Sequence, residues 1–185
     1  ELQKAISCYK KVIKINSKYT MAYNSLGMLF RGKGDVKKAI FNFKKAIQIE
    51  PNNLTSHWLS MNTFPIIYQN IEEISHYRKR FEESINKINQ LLDKNKTYTK
   101  DEIVNALKSS TNFYLSYQGR NDLYLQQNYA GLIERLTKKA YPQFNIIKKK
   151  KVELRHIRVG FVSSNLIFHS ITKTYKNWIL KLDKN

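Results

Sequence analysis

Residues 20–53, TMAYNSLGMLFRGKGDVKKAIFNFKKAIQIEPNN, read as two amphipathic helices joined by a tight turn. Tyr23, Leu26, Gly27 and Phe30 recur at the three- and four-residue steps of one helix face, and Ala39, Phe43 and Ala46 do the same on a second helix. Gly34 and Asp35 lie between them, where a helix end often needs a positive φ, and Pro51 stops the second helix. Sizes alternate for a mechanical reason. Gly27 and Ala39 let two helices approach closely, and Tyr23, Phe30 and Phe43 fill the space around them. The second helix has an earlier copy. Ala5, Ile6, Tyr9, Ile13 and Ile15 stand 34 positions before Ala39, Ile40, Phe43, Ile47 and Ile49. A fixed period of this length predicts stacked helical hairpins, with the chain opening inside the second helix of an earlier unit. A chance amphipathic hairpin is the alternative, and it does not account for the repeated positions.

The spacing of those residues resembles the tetratricopeptide repeat, and the resemblance implies an α-solenoid that presents protein partners in a groove. Past Pro51 the pattern fades. Residues 54–64 begin like another first helix, but Ser60 and Met61 stand where Leu-Gly is expected and Pro65 interrupts, so this unit is expected to end the stack. Residues 71–95 read as one long amphipathic helix, with Ile71, Ile74, Tyr77 (or Arg78 by its stem), Phe81, Ile85, Ile88 and Leu92 on one face. His76 lies on that helix with no second ligand at metal spacing. Thr99 and Glu102 fit a capping box for a short helix to about Ser109. An aromatic-rich turn leads to a helix over 122–140, capped by Asn121 or Asp122, with Leu125, Tyr129, Leu132, Ile133 and Leu136 inward and Pro142 at its end.

Composition narrows the partners. The formal net charge of the 185-residue chain is +19, but its lysines are scattered, as at Lys10, Lys11, Lys37, Lys38, Lys44 and Lys45, and read as solvated helix faces. A nucleic-acid site would interleave aromatics with lysines on one sheet face, so nucleic acid is not the expected partner. No apolar run approaches the roughly 20 residues of a membrane span. The single cysteine, Cys8, excludes an intrachain disulfide framework and suits a reducing compartment. Lys148, Lys149, Lys150 and Lys151 form the one basic block and read as a linker.

After that block the period changes. Residues 157–162 are β-branched and aromatic and read as a strand, 163–169 as a loop, and 170–182 as a helix. A β–loop–α unit of this kind opens an α/β domain, whose ligands gather at the carboxyl ends of its strands.

The order of motifs is specific: F-Y-L-S-Y-Q-G-R-N-D at 113–122, Y-P-Q at 141–143, and R-V-G-F-V-S-S-N followed by His169 and Ser170 at 158–170. It resembles the O-linked N-acetylglucosamine transferases of the SPINDLY-like type, and more closely their bacterial relatives. The resemblance implies a mainly α chain: repeats over 1–64, a helical connecting region over 65–147, and over 148–185 the truncated start of a Rossmann-like, GT-B catalytic domain. It implies transfer of N-acetylglucosamine from UDP-GlcNAc, a donor substrate and not a cofactor, to Ser/Thr of acceptor proteins in a bacterial cytoplasm. Most of the sugar-nucleotide pocket is then expected beyond residue 185, with the chain alone inactive. Gly160 matches the family glycine of the first strand, and Ser163, Ser164 and Asn165 match the family's loop. His169 matches a cleft histidine considered as general base, for which imidazole is suited near neutral pH. A structural loop histidine is the competing role. Family repeats carry an asparagine before the Leu-Gly pair to bind acceptor backbone; here Ser25 takes that place with Asn24 beside it. Two functions stand open at this point: a protein O-glycosyltransferase, and a non-catalytic interaction module.

Overall fold

A computed structural model describes residues 1–94, 97–144 and, beyond them, Thr172, Lys173, Lys176, Asn177, Leu180 and Lys181. The chain forms two compact units, residues 1–147 and 148–185. The first holds helices α1 (Leu2–Ile15), α2 (Thr20–Gly32), α3 (Val36–Ile49), α4 (Leu54–Met61), α5 (Ile71–Asp93), α6 (Lys100–Ser109) and α7 (Leu123–Ala140). Short 3₁₀ segments, Phe113–Gln118 and Pro142–Phe144, precede and follow α7. No strand occurs among the described residues.

The α2–α3 hairpin forms as the period predicts. Gly34 adopts φ +78° in the turn, a conformation that a side chain resists. Asp35 then caps α3, accepting from the Lys38 backbone N–H at 3.1 Å and from Lys38 Nζ at 2.7 Å. The close crossing is at Gly27, where an added Cβ would overlap the Phe43 ring. Phe43, Ala39 and Ala46 are fully buried along α3, and Leu59 of α4 closes the same cluster. Thus the small positions and the large ones interlock as their sizes require.

Helix α1 packs on α2, and of its residues Ile6 is the buried one, whereas Ile15 is exposed. Asn53 caps α4, its Oδ1 accepting from the backbone N–H and the hydroxyl of Ser56, each at 3.0 Å. Every residue of α4 except Thr55 is buried, because α3, α5 and α6 all pack on it. Helix α4 is thus enclosed by α3, α5 and α6.

Arg80 of α5 completes the end of α4. It donates to the Ser60 carbonyl at 2.6 Å and to the Thr63 carbonyl, and its guanidinium lies 5.2 Å from the Tyr77 ring centroid. Burial pushes its pKa down to about 10, with Tyr77 and Tyr68 opposing the shift, so it remains a cation at neutral pH and supplies the charge favoured at a helix C-terminus.

The main core joins Trp58, Phe64, Phe81 and Tyr129. Trp58 stacks on Tyr129 at 5.4 Å, and Phe81 lies 5.6 Å from Tyr129. Burial raises the Tyr129 hydroxyl pKa to about 12, partly offset by the nearby Asn62 side chain. Tyr77, Phe81, Ile85, Ile88 and Leu92 line α5 as expected, but Ile71 is exposed at its first turn. The Thr99–Glu102 capping box opens α6.

The second unit is described only at its six positions. Thr172, Lys173, Lys176, Asn177 and Leu180 are helical, within the helix expected over 170–182. The strand expected over 157–162, including Gly160, and the loop over 163–169 lie outside the described residues.

Candidate functional site

One face of α2 carries Met21, Asn24, Met28 and Arg31, spaced at three and four residues. Its opposite side holds the buried Ala22 and Leu26. Met21 and Met28 are exposed, so flexible, polarisable side chains are displayed along the helix. Asn24 is buried, and its Nδ2 donates to Ser56 Oγ at 2.9 Å across to α4. Ser25, beside it, is half-buried. Of the two residues that the resemblance assigns to acceptor binding, Asn24 thus has its amide on a neighbouring helix.

At its C-terminal end this face runs into the chain that leaves α6. Arg31 Nη2 reaches the Ser109 carbonyl at 3.5 Å, and Trp58 Nε1 donates to the Ser110 carbonyl at 2.9 Å. Between α2, the end of α4 and this segment lies a cavity of about 460 Å³. Met28, Arg31, Asn62, Ser110, Phe113 and Tyr114 are among its lining residues. Phe113, Tyr114 and Tyr117 form an aromatic trio with centroid separations of 5.2–6.4 Å, and all three are exposed. Burial lowers the Arg31 pKa, and nearby Tyr114 partly offsets that.

Gln118, Gly119, Asn121 and Asp122 of the 113–122 motif have structural roles. Gly119 takes φ +63° at the end of the 3₁₀ segment. Gln118 Nε2 donates to the Tyr68 hydroxyl at 2.5 Å, and Gln118 Oε1 accepts from Arg78 at 3.1 Å. Arg78 also donates to the Asn121 carbonyl at 2.7 Å and forms a 2.5 Å ion pair with Asp122. The motif therefore clamps the segment before α7 onto α5.

Ser163, Ser164, Asn165 and His169 lie outside the described residues. No group of three or more His, Cys, Asp or Glu able to hold a metal occurs among the described residues. Sequence reasoning did not bring Arg31, Met28, Phe113 and Tyr114 together, because they come from segments about eighty residues apart with no local signal of their meeting.

The tetratricopeptide-repeat family profile matches residues 21–53, the α2–α3 hairpin and the turn after it. No curated protein matches the chain. A tetratricopeptide repeat is thus part of this protein, and repeats of this kind generally bind protein partners. No helix among the described residues is long and apolar enough to cross a membrane.

Proposed function

We propose that the chain is a protein-binding module whose exposed α2 face holds an extended segment of a partner protein, and that the complete protein is an O-linked N-acetylglucosamine transferase to which this module presents acceptors. The observation that carries the binding role is the tetratricopeptide repeat at 21–53, with Met21 and Met28 exposed along its first helix. Support for the transferase rests on the motifs at 113–122 and 158–170. In that reading UDP-GlcNAc is the donor, Ser163, Ser164 and Asn165 belong to the loop beside the reacting hydroxyl, and His169 accepts its proton in a bacterial cytoplasm. A proton acceptor in that position contributes roughly 10²–10⁴ in rate, so His169→Ala should lower transfer by that factor with the donor still bound.

A non-catalytic interaction module is the second reading, and one observation favours it. Gln118, Asn121 and Asp122, the polar heart of the first motif, all hold α5 in place. The two readings separate in one assay on the complete protein, with UDP-GlcNAc and candidate acceptors analysed by mass spectrometry. A mass increase of one N-acetylhexosamine on acceptor Ser/Thr supports the transferase. Its absence with every acceptor, in a folded protein that still binds those acceptors, leaves the interaction module.

A further inference from the structure

The cavity at the end of α2 has one charged residue among its lining residues, Arg31. Its guanidinium is half-buried, and its hydrogen bond to the Ser109 carbonyl is long, at 3.5 Å. No carboxylate among the described residues lies within ion-pair distance of it. Three other arginines of the same unit are better provided: Arg78 holds Asp122, Arg135 holds Asp93, and Arg80 donates to two carbonyls. Around Arg31 the walls are a thioether and two aromatic rings, Met28, Phe113 and Tyr114, at 41%, 59% and 38% exposure. Ser110 Oγ in the same wall is buried with no hydrogen-bond partner among the described residues.

A partly desolvated guanidinium between apolar walls attracts a carboxylate more strongly than one in open water does, and its planar fork can meet both carboxylate oxygens. The rings and the methionine offer contact area to an apolar side chain beside that carboxylate. A net charge of +19 draws anionic partners toward the surface as a whole. We propose that this cavity binds an acidic residue of an extended partner peptide, Arg31 taking the carboxylate and Met28, Phe113 and Tyr114 packing the neighbouring apolar side chain. The inference rests on the protein-binding reading of the α2 face and names its partner's chemistry. A nucleic-acid backbone fits less well, because successive phosphates would require several cations where the cavity supplies one.

The carboxylate is that of an Asp or Glu side chain, and a preference for a free chain end is the contrary outcome of the test. Two acetylated decamer amides identical except for a central Leu-Glu or Leu-Gln test the side chain. Two decamers ending in Phe-Leu, one as the free acid and one as the amide, test the chain end. Each is titrated against the 185-residue chain by fluorescence anisotropy, with a ten-nucleotide oligothymidylate as the nucleic-acid control. The Leu-Glu peptide should bind about tenfold tighter than its Leu-Gln mate, the scale of one charge-assisted hydrogen bond, and a preference confined to the chain-end pair overturns the inference. Arg31→Gln should remove that difference and Arg31→Lys should keep part of it. Equal binding of acid and neutral mates to the wild-type chain overturns the inference and leaves the protein-binding reading intact, whether or not the variants fold. Failure of all four peptides, and of a randomised decamer library, to bind overturns both. Arg31-dependent binding of the oligonucleotide without any acid preference among the peptides also overturns it.

Discussion

Two residues show how little tolerance the repeat leaves. Gly27 faces Phe43 so closely that even a methyl group would overlap the ring. Gly27→Ala gains about 1 kcal/mol of helix propensity, but overpacking of this kind costs about 1–3 kcal/mol. The overlap should win, because Phe43 is fully buried and has nowhere to turn. A fall of a few degrees in Tm is expected, and a rise would mean that the crossing is looser than described. His57 gives a pH test. It is buried, and its Nε2–H donates to the Pro51 carbonyl at 2.9 Å. Burial lowers its pKa, Pro51 opposes that, and Lys87 adds to it. The fold thus holds the neutral ring, whereas the unfolded chain takes up a proton near pH 6.5. The contribution of His57 to stability is complete above about pH 6.5 and is lost as the pH falls toward the lower folded value. Urea midpoints at pH 7.5 and 5.5 should therefore differ in the wild-type chain and differ less in His57→Gln. An undiminished difference in the variant would place the titrating group elsewhere.

At the scale of elements, the joint between α5 and the segment entering α7 depends on Arg78. Its guanidinium serves Gln118, Asn121 and Asp122 at once, and both members of the Arg78–Asp122 pair are mostly shielded from water. Removing one partner of a largely buried pair leaves the other charge unpaired, so Arg78→Ala should cost about 3 kcal/mol. Limited trypsin digestion should then open the chain first at Arg120; cleavage at the wild-type rate there would show that the clamp is not what orders the segment. This joint also marks where sequence reading stopped. The cap at Thr99, the turn at Gly34 and Asp35, and the apolar stripes of α5 and α7 were legible because each joins residues a few positions apart. The motif at 113–122 was legible as a motif, but its structural work was not. Arg78 and Asp122 stand 44 positions apart, and no periodicity links them. The same holds for the cavity, since Arg31 and Ser109 are 78 positions apart. Asn24 was legible as a polar residue on the repeat's first helix, yet its Ser56 partner lies on α4, 32 positions on. The expected strand and the residues around His169 fall outside the described residues, so the site expected there has no geometry to compare.

At the scale of the whole molecule, α5 and α6 pack on α4 beside the α2–α3 hairpin, and α7 packs on both of them. Among the described residues, the chain that leaves α6 meets α2 near its C-terminal end, around Arg31, and Met21 and Met28 are exposed. A partner segment should therefore lie along α2 and finish against Phe113 and Tyr114. The most direct measurement is amide hydrogen exchange of the chain, free and saturated with the tightest decamer selected from a randomised library. Binding should slow exchange within α2 and across residues 109–114, with α5 and the outer face of α7 unchanged. Protection confined to α5 or α7, with α2 exchanging as in the free chain, would contradict docking along α2.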